Sequence, residues 1–219
     1  MRVLQRIEDK IWVNDNLLMQ VEALFKERFL SCNSLPIGWK MMDLGDVSSM
    51  SAGGDKPKDI SNQKTEAHQY PIYSNGISNE GLYGFTTGYK ISEESVTVSA
   101  RGTIGYVCLR HIPFTPIVRL VTLVPQTSIV SAKYLYLWLK SIPINGTGTT
   151  QQQLTVPDFW NTKILIPPEA DMRSFTETVD PLFQQVWVNQ EENIKLADVR
   201  DTLLPRLISG ELDVSDIDI

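Results

Sequence analysis

The sequence predicts an α+β fold in which one β-rich globule is flanked by two long helices. Three patterns predict this fold. Apolar residues recur at helical spacing near the amino terminus, and the same spacing returns near the carboxyl terminus. Between them lie short β-branched runs separated by glycines and prolines. These patterns divide the 219 residues into segments 1–33, 34–168 and 169–219. A hydrophobic share of 42% is ordinary for a globular protein and allows a buried core.

The first segment predicts one amphipathic helix over residues 7–30. Its apolar residues recur at intervals of three, four and seven, and the run contains no glycine or proline. The residues of this stripe are Ile7, Ile11, Leu18, Val21, Phe25 and Phe29. Pro36 and Gly38 then end the helical pattern.

The middle segment reads as strands and turns. Short β-branched runs separated by Gly, Pro, Asn and Ser predict strands at 96–100, 105–109, 117–124 and 163–166. One helical interlude at 131–141 is rich in aromatic residues and leucine. We expect that interlude to pack against the sheet.

The last segment returns to helical spacing after Pro167 and Pro168. Its periodic residues are Met172, Phe175, Val179, Leu182, Val186, Asn193, Ala197 and Leu204. Because proline removes a backbone hydrogen bond, Pro181 predicts either a kink or a new helix start capped by Asp180. Gly210 is a typical stop. A helix of about 40 residues would be about 60 Å long at 1.5 Å per residue.

Charge is distributed unevenly along the chain. The net charge is −6, but residues 169–219 hold four basic and twelve acidic side chains, whereas residues 34–168 hold eleven basic and nine acidic ones. The acidity therefore belongs to the last segment, and the middle segment, at +2, is compatible either with nucleic acid or with an ordinary mixed surface.

The cysteines and the hydropathy pattern indicate the compartment. Cys32 and Cys108 stand apart from any CxxC or histidine-rich segment, which disfavours a disulfide framework and a thiolate metal site. Neither a secretory signal nor an apolar run long enough for a bilayer is found in the sequence. We expect a cytoplasmic protein without a membrane partner.

Motifs for catalysis are missing from the sequence. It contains no phosphate-binding loop, no dinucleotide fingerprint, no nucleophile elbow and no HExxH pair. His68 and His111 are too far apart in sequence to favour a histidine site, and the run 146–153 lacks the lysine of a phosphate-binding loop. The sequence thus predicts no enzyme activity, no cofactor and no metal.

Three polar clusters in the middle segment have the chemistry to read DNA. They are the Thr/Gln run 149–153, the Tyr/Asn/Gly run 70–81 and the loop 99–103, which holds Arg101 between flexible neighbours. Glutamine suits the edge of adenine, and the arginine fork suits guanine or phosphate. A plain polar turn at 149–153, or a salt bridge from Arg101 to a nearby acid, is the alternative.

Several motifs, in order, resemble one known family. They are Leu35-Pro-x-Gly-Trp39, Tyr70-Pro-Ile-Tyr-Ser-Asn-Gly76, Val98-Ser-Ala-Arg-Gly-Thr-Ile-Gly105, Tyr134-Leu-Tyr136, Leu139-Lys-Ser141, Gly148-Thr-Thr-Gln-Gln-Gln-Leu154, Ile164-Leu-Ile-Pro-Pro168 and Leu203-Leu-Pro-Arg-Leu-Ile-Ser-Gly210. Together they resemble the specificity subunit of type I restriction-modification systems. The resemblance implies a target recognition domain that reads double-stranded DNA. It also implies long helices in an antiparallel coiled coil, which docks methyltransferase (modification) subunits and, through them, the restriction subunit.

The chain departs from that family in size. A full specificity subunit carries two recognition domains, whereas this sequence has one globule between two helices. One domain reads one half-site, so a bipartite target requires two copies, and we expect a homodimer on a palindromic site with a fixed gap. The alternative is a non-catalytic coiled-coil scaffold that binds protein rather than DNA, which the acidic last segment mildly favours.

The candidate contacts follow from the clusters together with the resemblance. Candidates for direct contact are Ser74, Asn75, Asn79, Arg101, Thr103, Thr149, Thr150, Gln151, Gln152 and Gln153. Weaker candidates for phosphate contact are Lys56, Lys58 and Lys90.

Overall fold

A computed structural model describes residues 2–31, 36–146 and 153–209. The chain forms two compact units. The helical unit comprises Met1–Ser31 with Glu177–Ile219, and the β-rich unit comprises Cys32–Thr176.

The described chain begins and ends with a long helix, and its strands lie between the two. The α-helices are α1 (Arg2–Phe25), α2 (Leu44–Val47), α3 (Ala132–Ser141), α4 (Val156–Trp160) and α5 (Glu169–Ile208), and a π-helical turn, Lys26–Leu30, extends α1. The strands are β1 (Lys40–Asp43), β2 (Ser48–Ala52), β3 (Tyr70–Tyr73), β4 (Leu82–Thr86), β5 (Ser95–Ser99), β6 (Val107–Arg110), β7 (Thr115–Pro116), β8 (Leu120–Pro125) and β9 (Lys163–Ile166). A 3-10 turn, Ser78–Gly81, precedes β4. The mixed α+β character predicted from the sequence is confirmed.

Helix α1 begins five residues before the predicted start, and its apolar stripe is buried only in part. Val21, Phe25 and Phe29 are at most 2% exposed, whereas Ile11 is 51% exposed. The predicted helix is thus present, but the described structure buries its apolar stripe only in the second half. A polar side chain occupies a buried position in the first half, since Asn14 is only 8% exposed.

A polar layer joins α1 to α5 within the helical unit. Asn189 Nδ2 donates to Asn14 Oδ1 over 2.7 Å, and Asn14 Nδ2 donates to the main-chain oxygen of Val186 over 3.2 Å. Lys10 Nζ donates to Asn189 Oδ1 over 3.3 Å and forms an ion pair with Glu192. Partner numbers in α5 fall as residue numbers in α1 rise, so the two helices run antiparallel.

Helix α5 is a single helix of 40 residues that contains Pro181 and Pro205. Of the two alternatives predicted at Pro181, the fresh start at Asp180 does not occur, because the helix continues through the proline. The neighbouring side chains Val179 and Phe183 are buried, at 0% and 2% exposed, and this packing offsets the backbone hydrogen bond that the proline removes. The predicted stop at Gly210 lies outside the described residues.

The described residues of the β-rich unit form three small sheets. The largest has the strand order β2-β8-β5-β6 and is antiparallel throughout. A second sheet has the order β4-β3-β7, with β3 and β7 parallel, and β1 pairs antiparallel with β9. The core of the large sheet includes Val96, Val98 and Leu123, none of which is exposed.

The strand predicted at 117–124 begins three residues later than expected. The run 117–124 was expected to be continuous, but β7 ends at Pro116 and β8 begins at Leu120. Arg119 between them has a φ of 74°, in the left-handed region where an extended strand cannot continue. The chain turns there and passes from the β3 sheet to the β5 sheet.

Helix α3 confirms the predicted helical interlude and packs beside β9. The Ser131 hydroxyl caps the helix by accepting from the main-chain nitrogen of Tyr134 over 3.2 Å. The buried Tyr134 hydroxyl donates to the main-chain oxygen of Leu165 over 2.5 Å, and Trp138 Nε1 donates to that of Lys163 over 3.0 Å. These bonds fix the helix against the strand.

Candidate nucleic-acid interface

Two loops of the β-rich unit meet at Asn75. The main-chain oxygen of Asn75 accepts from Thr103 Oγ1 over 2.9 Å and from Ser99 Oγ over 3.2 Å. Its side-chain Nδ2 donates to the main-chain oxygen of Arg101 over 2.7 Å. Asn75 therefore ties the loop that follows β3 to the loop that joins β5 and β6.

Arg101 lies on the loop that joins β5 and β6, and its guanidinium uses only part of its hydrogen-bonding capacity. Its Nη2 donates to Gln153 Oε1 over 2.5 Å, while its buried Nε has no hydrogen-bond partner among the described residues. The described partner of Arg101 is thus an amide rather than the carboxylate of the alternative interpretation. A buried guanidinium nitrogen without an acceptor costs free energy, which an incoming acceptor would recover.

The two described ends of the run 146–153 lie together, and Gln153 at one end contacts Arg101. A Cβ on Gly146 would lie 2.9 Å from the main-chain nitrogen of Gln153, so the two residues are in contact. The next residue, Leu154, donates from its main-chain nitrogen to the oxygen of Ala100 over 2.9 Å. The candidates Thr149, Thr150, Gln151 and Gln152 lie outside the described residues.

The structure brings five of the predicted site residues together. They are Ser74, Asn75, Arg101, Thr103 and Gln153, and Ser74 Oγ joins the group by donating to Asn75 Oδ1 over 3.2 Å. The bonds of Asn75 and Thr103 are used largely within the protein, so these two side chains hold the loops. Arg101, Gln153 and Ser74 present the remaining polar groups.

Asn79 lies on the same loop as Ser74, in an uncommon backbone conformation. Asn79 and Glu80 have φ values of 49° and 52°, and Gly81 follows at 81°. Ser74 donates from its main-chain nitrogen to the oxygen of Gly81 over 2.8 Å, which closes the loop. Asn79 is exposed at the turn.

Sequence reasoning missed Arg110, at the end of β6. It is 3% exposed, and its guanidinium carbon lies 3.6 Å from the centre of the Tyr73 ring. Its Nε donates to Thr97 Oγ1 over 3.0 Å, and its Nη2 donates to the main-chain oxygen of Glu80 over 2.7 Å. Nothing in the local sequence distinguishes this arginine from one on a strand surface, because its partners come from three other segments.

Two tyrosines beside this arginine keep their protons at neutral pH. Burial is the main cause that raises the pKa of Tyr73, and it raises the pKa of Tyr106 to about 12. Neither phenol therefore adds a negative charge at this surface.

The three candidate lysines are all exposed. Lys56 Nζ donates to the Tyr83 hydroxyl over 2.5 Å and lies 4.7 Å from the centre of that ring. Lys90 Nζ lies 2.7 Å from the position that a Cβ on Gly54 would take, two residues from Lys56 in the chain. Lys56 and Lys90 thus lie on neighbouring parts of the surface, and Lys58 follows on the same segment as Lys56.

In the described part of the chain, no helix is both long enough and apolar enough to cross a membrane. Across residues 2–31, 36–146 and 153–209, the structure places no three His, Cys, Asp or Glu side chains where they could hold a metal ion.

Comparison with known families identifies the class of this domain. A family model described as the type I restriction modification DNA specificity domain matches residues 36–197. That match covers the whole described part of the β-rich unit and part of α5. The chain belongs to this family.

Relatives with similar sequences have names from the same family. A Mycoplasma pneumoniae protein provisionally named as a type I specificity subunit is 32% identical over 146 residues, covering 66% of this chain and 40% of that protein. The MjaIX specificity subunit of a type I restriction enzyme of Methanocaldococcus jannaschii is 26% identical over 225 residues, covering 92% and 52%. The chain spans about half the length of these relatives, or less.

Solved structures share the fold. The S subunit of a type I restriction-modification system from M. genitalium matches with a TM-score of 0.64 at 18% identity, over 94% of this chain and 56% of that one. The HsdS subunit of Thermoanaerobacter tengcongensis matches with a TM-score of 0.51 at 19% identity, over 96% and 55%. At these identities the similarity shows the fold alone.

Proposed function

We propose that this chain is a non-catalytic specificity subunit that reads one half of a bipartite target in double-stranded DNA. The observation that carries the proposal is the Arg101–Gln153 contact, in which two base-reading side chains meet at a junction of three loops. An arginine can donate two hydrogen bonds to guanine, and glutamine can pair with adenine. The family match over residues 36–197 supports a role in DNA specificity.

We assign the contacts by the geometry of each side chain. Arg101, Gln153, Ser74 and Asn79 are the proposed base-reading residues among the described ones, and Asn75 and Thr103 hold them in place. Exposed Lys56, Lys58 and Lys90 are the proposed phosphate contacts, which position the domain without reading sequence. The threonines and glutamines at 149–152 remain proposed contacts from the sequence.

We also propose that the working form is a homodimer. A single recognition unit reads one half-site, so two copies related by a two-fold axis would read a palindrome with a fixed gap. In this proposal the antiparallel helices α1 and α5 form a coiled coil, which sets the distance between the recognition units of the two chains in the dimer. Helix α5, with 40 residues, is about 60 Å long at 1.5 Å per residue.

The helical pair is the proposed docking surface for methyltransferase subunits, through which the restriction subunit would join. Large apolar side chains on these two helices are exposed, among them Trp12 at 68%, Ile194 at 63% and Met19 at 59%. Exposed apolar side chains that form one contiguous patch are typical of a surface that another protein covers. Light-scattering mass, measured for the chain alone and with the modification subunit, tests both assemblies.

A selection experiment tests DNA reading. The full chain, alone and with its modification subunit, is incubated with random duplexes, and the bound DNA is sequenced. We expect one enriched palindrome with a fixed gap. Arg101→Ala should weaken binding to that site by about 1–3 kcal/mol and leave binding to random DNA nearly unchanged. Arg173→Ala, an exposed arginine of α5, is the matched control.

The competing interpretation, a protein-binding scaffold, predicts different results. Binding through several lysines and arginines must weaken steeply as salt rises, because phosphate contacts release counterions. If no duplex is enriched and binding does not depend on salt, the DNA proposal is wrong and the scaffold is favoured. If Arg101→Ala weakens binding to all duplexes equally, Arg101 is a phosphate contact or a structural residue.

A further inference from the structure

The loop 74–81 contains a backbone conformation that needs outside support. Asn79, Glu80 and Gly81 are consecutive residues with φ between 49° and 81°. Two of the three have side chains, which disfavour the left-handed region. Such conformations persist where surrounding contacts determine them, and they concentrate at ligand-binding sites.

Arg110 supplies that support from beneath the loop. One guanidinium nitrogen donates to the main-chain oxygen of Glu80 over 2.7 Å, and another lies 3.2 Å from the Glu80 carboxylate. Both contacts fall on the middle one of the three left-handed residues. The planar guanidinium group therefore binds the main-chain oxygen and the carboxylate of Glu80 at the same time.

The β-rich core fixes Arg110 in turn. Its remaining Nε donates to the buried Thr97 hydroxyl, and its guanidinium stacks on the Tyr73 ring at 3.6 Å. Arg110 is 3% exposed, whereas the side chain of Glu80 is 52% exposed. A buried charge thus links the core strands β5 and β6 to a surface loop.

We propose that Arg110 is a positioning residue that holds the loop 74–81 in its DNA-reading conformation by gripping Glu80. The inference rests on the proposed function, because Ser74 and Asn79 on this loop are proposed base contacts and Asn75 orders the Arg101 loop. Arg110 acts through Glu80 and does not touch DNA. Lysine cannot replace it, since an ammonium group neither stacks as a plane nor presents the fork.

Amide hydrogen exchange tests the support of the loop without any DNA. The main-chain nitrogens of Ser74 and Glu80, bonded to the oxygens of Gly81 and Ile77, are the reporters. We expect Arg110→Met to speed their exchange at least tenfold, and Arg110→Lys and Glu80→Gln to give smaller increases. Arg173→Met, which removes an exposed ion pair on α5, is the control and should leave these rates unchanged.

Glu80→Gln keeps the test decisive if Arg110→Met does not fold, because the Glu80 side chain is half exposed and the glutamine amide oxygen can still accept a hydrogen bond from the Arg110 guanidinium. Unchanged exchange at Ser74 and Glu80 in Glu80→Gln and in any Arg110 variant that folds would overturn the proposal. Increased exchange limited to these reporters would support the proposal, whereas increased exchange throughout β5 and β6 would overturn it in favour of a general role in stability.

DNA binding tests the functional part separately. On the selected site, Glu80→Gln and Arg110→Lys should lower the affinity about tenfold while the affinity for random duplexes stays the same. If exchange increases but selectivity does not change, the loop does not read DNA and the positioning role is refuted. If the unmodified chain selects no sequence, the proposed function fails, and hydrogen exchange alone still decides whether Arg110 holds the loop.

Discussion

Replacement of Asn14 by leucine should destabilise the helical unit, although leucine is the better helix former. Asn14 and Asn189 are 8% and 4% exposed, and their amides are joined over 2.7 Å. Asn14→Leu leaves Asn189 Nδ2 buried without that acceptor, which costs about 1–3 kcal/mol. Lys10 keeps its ion pair with Glu192, so the loss is confined to the amide layer.

The double replacement Asn14→Leu with Asn189→Leu should recover much of this loss. It removes both polar partners and adds apolar surface to the seam, a change that can be nearly neutral or stabilising. The expected coupling between the two sites is about 0.5–3 kcal/mol, favourable in the double variant. Urea unfolding of the full chain, followed by circular dichroism at 222 nm, supplies the four free energies of unfolding.

An exposed pair on the same helix provides a matched control. Gln5 Nε2 donates to Asp9 Oδ1 over 3.0 Å at the surface of α1. Replacement of both by leucine should change the unfolding free energy by no more than about 0.5 kcal/mol. Additive effects at Asn14 and Asn189, or a double variant less stable than either single one, would refute the reasoning.

Three further predictions concern the stability of the protein at low pH, the close contact between Gly45 and Trp160, and the length of the two long helices. Asp59 accepts hydrogen bonds from the Thr87 hydroxyl and amide and from Thr86, and these hold its pKa well below the ordinary range. Its stabilising contribution is therefore present above the ordinary aspartate pKa and lost as pH falls below it, and Asp59→Asn should reduce the loss of Tm between pH 5 and pH 2. Gly45→Ala would place a Cβ 1.9 Å from the Trp160 ring and should cost about 1–3 kcal/mol, measured by urea unfolding. A matched seven-residue deletion in both helices should shorten the gap of the selected DNA site and leave the half-sites unchanged, as read by sequencing.

Local sequence signals predicted those elements whose conformation depends on their own residues. Strand β9 and helix α3 were predicted closely, because a β-branched run and a serine cap act within a few residues. The later start of the strand predicted at 117–124 could not be predicted, since it depends on the left-handed conformation of Arg119. At Pro181 the sequence left a kink and a new helix start open, and the burial of Val179 and Phe183 favours the continuous helix.

The candidate site shows the same limit. Residue types and turn composition led to Arg101 and Gln153, which are 52 positions apart and prove to be in contact. Arg110 was missed because its importance comes from Thr97, Tyr73 and Glu80, which are distant in sequence. Sequence patterns identify groups suited to touch a ligand, whereas the residues that hold those groups become visible only in three dimensions.

The amide layer also restricts how the helices can change length during evolution. An insertion in only one helix, between the layer and the buried residues Val21 and Phe25 or Val179 and Phe183, would shift Asn14 relative to Asn189 by about 1.5 Å for each added residue. Each asparagine would then lose its amide partner while buried, which is costly. Functional variants of different length should therefore carry matching insertions in both helices, or insertions on the far side of the amide layer. The Asn14–Asn189 pair thus separates the part of the helical unit that can change length in one helix alone from the part that cannot.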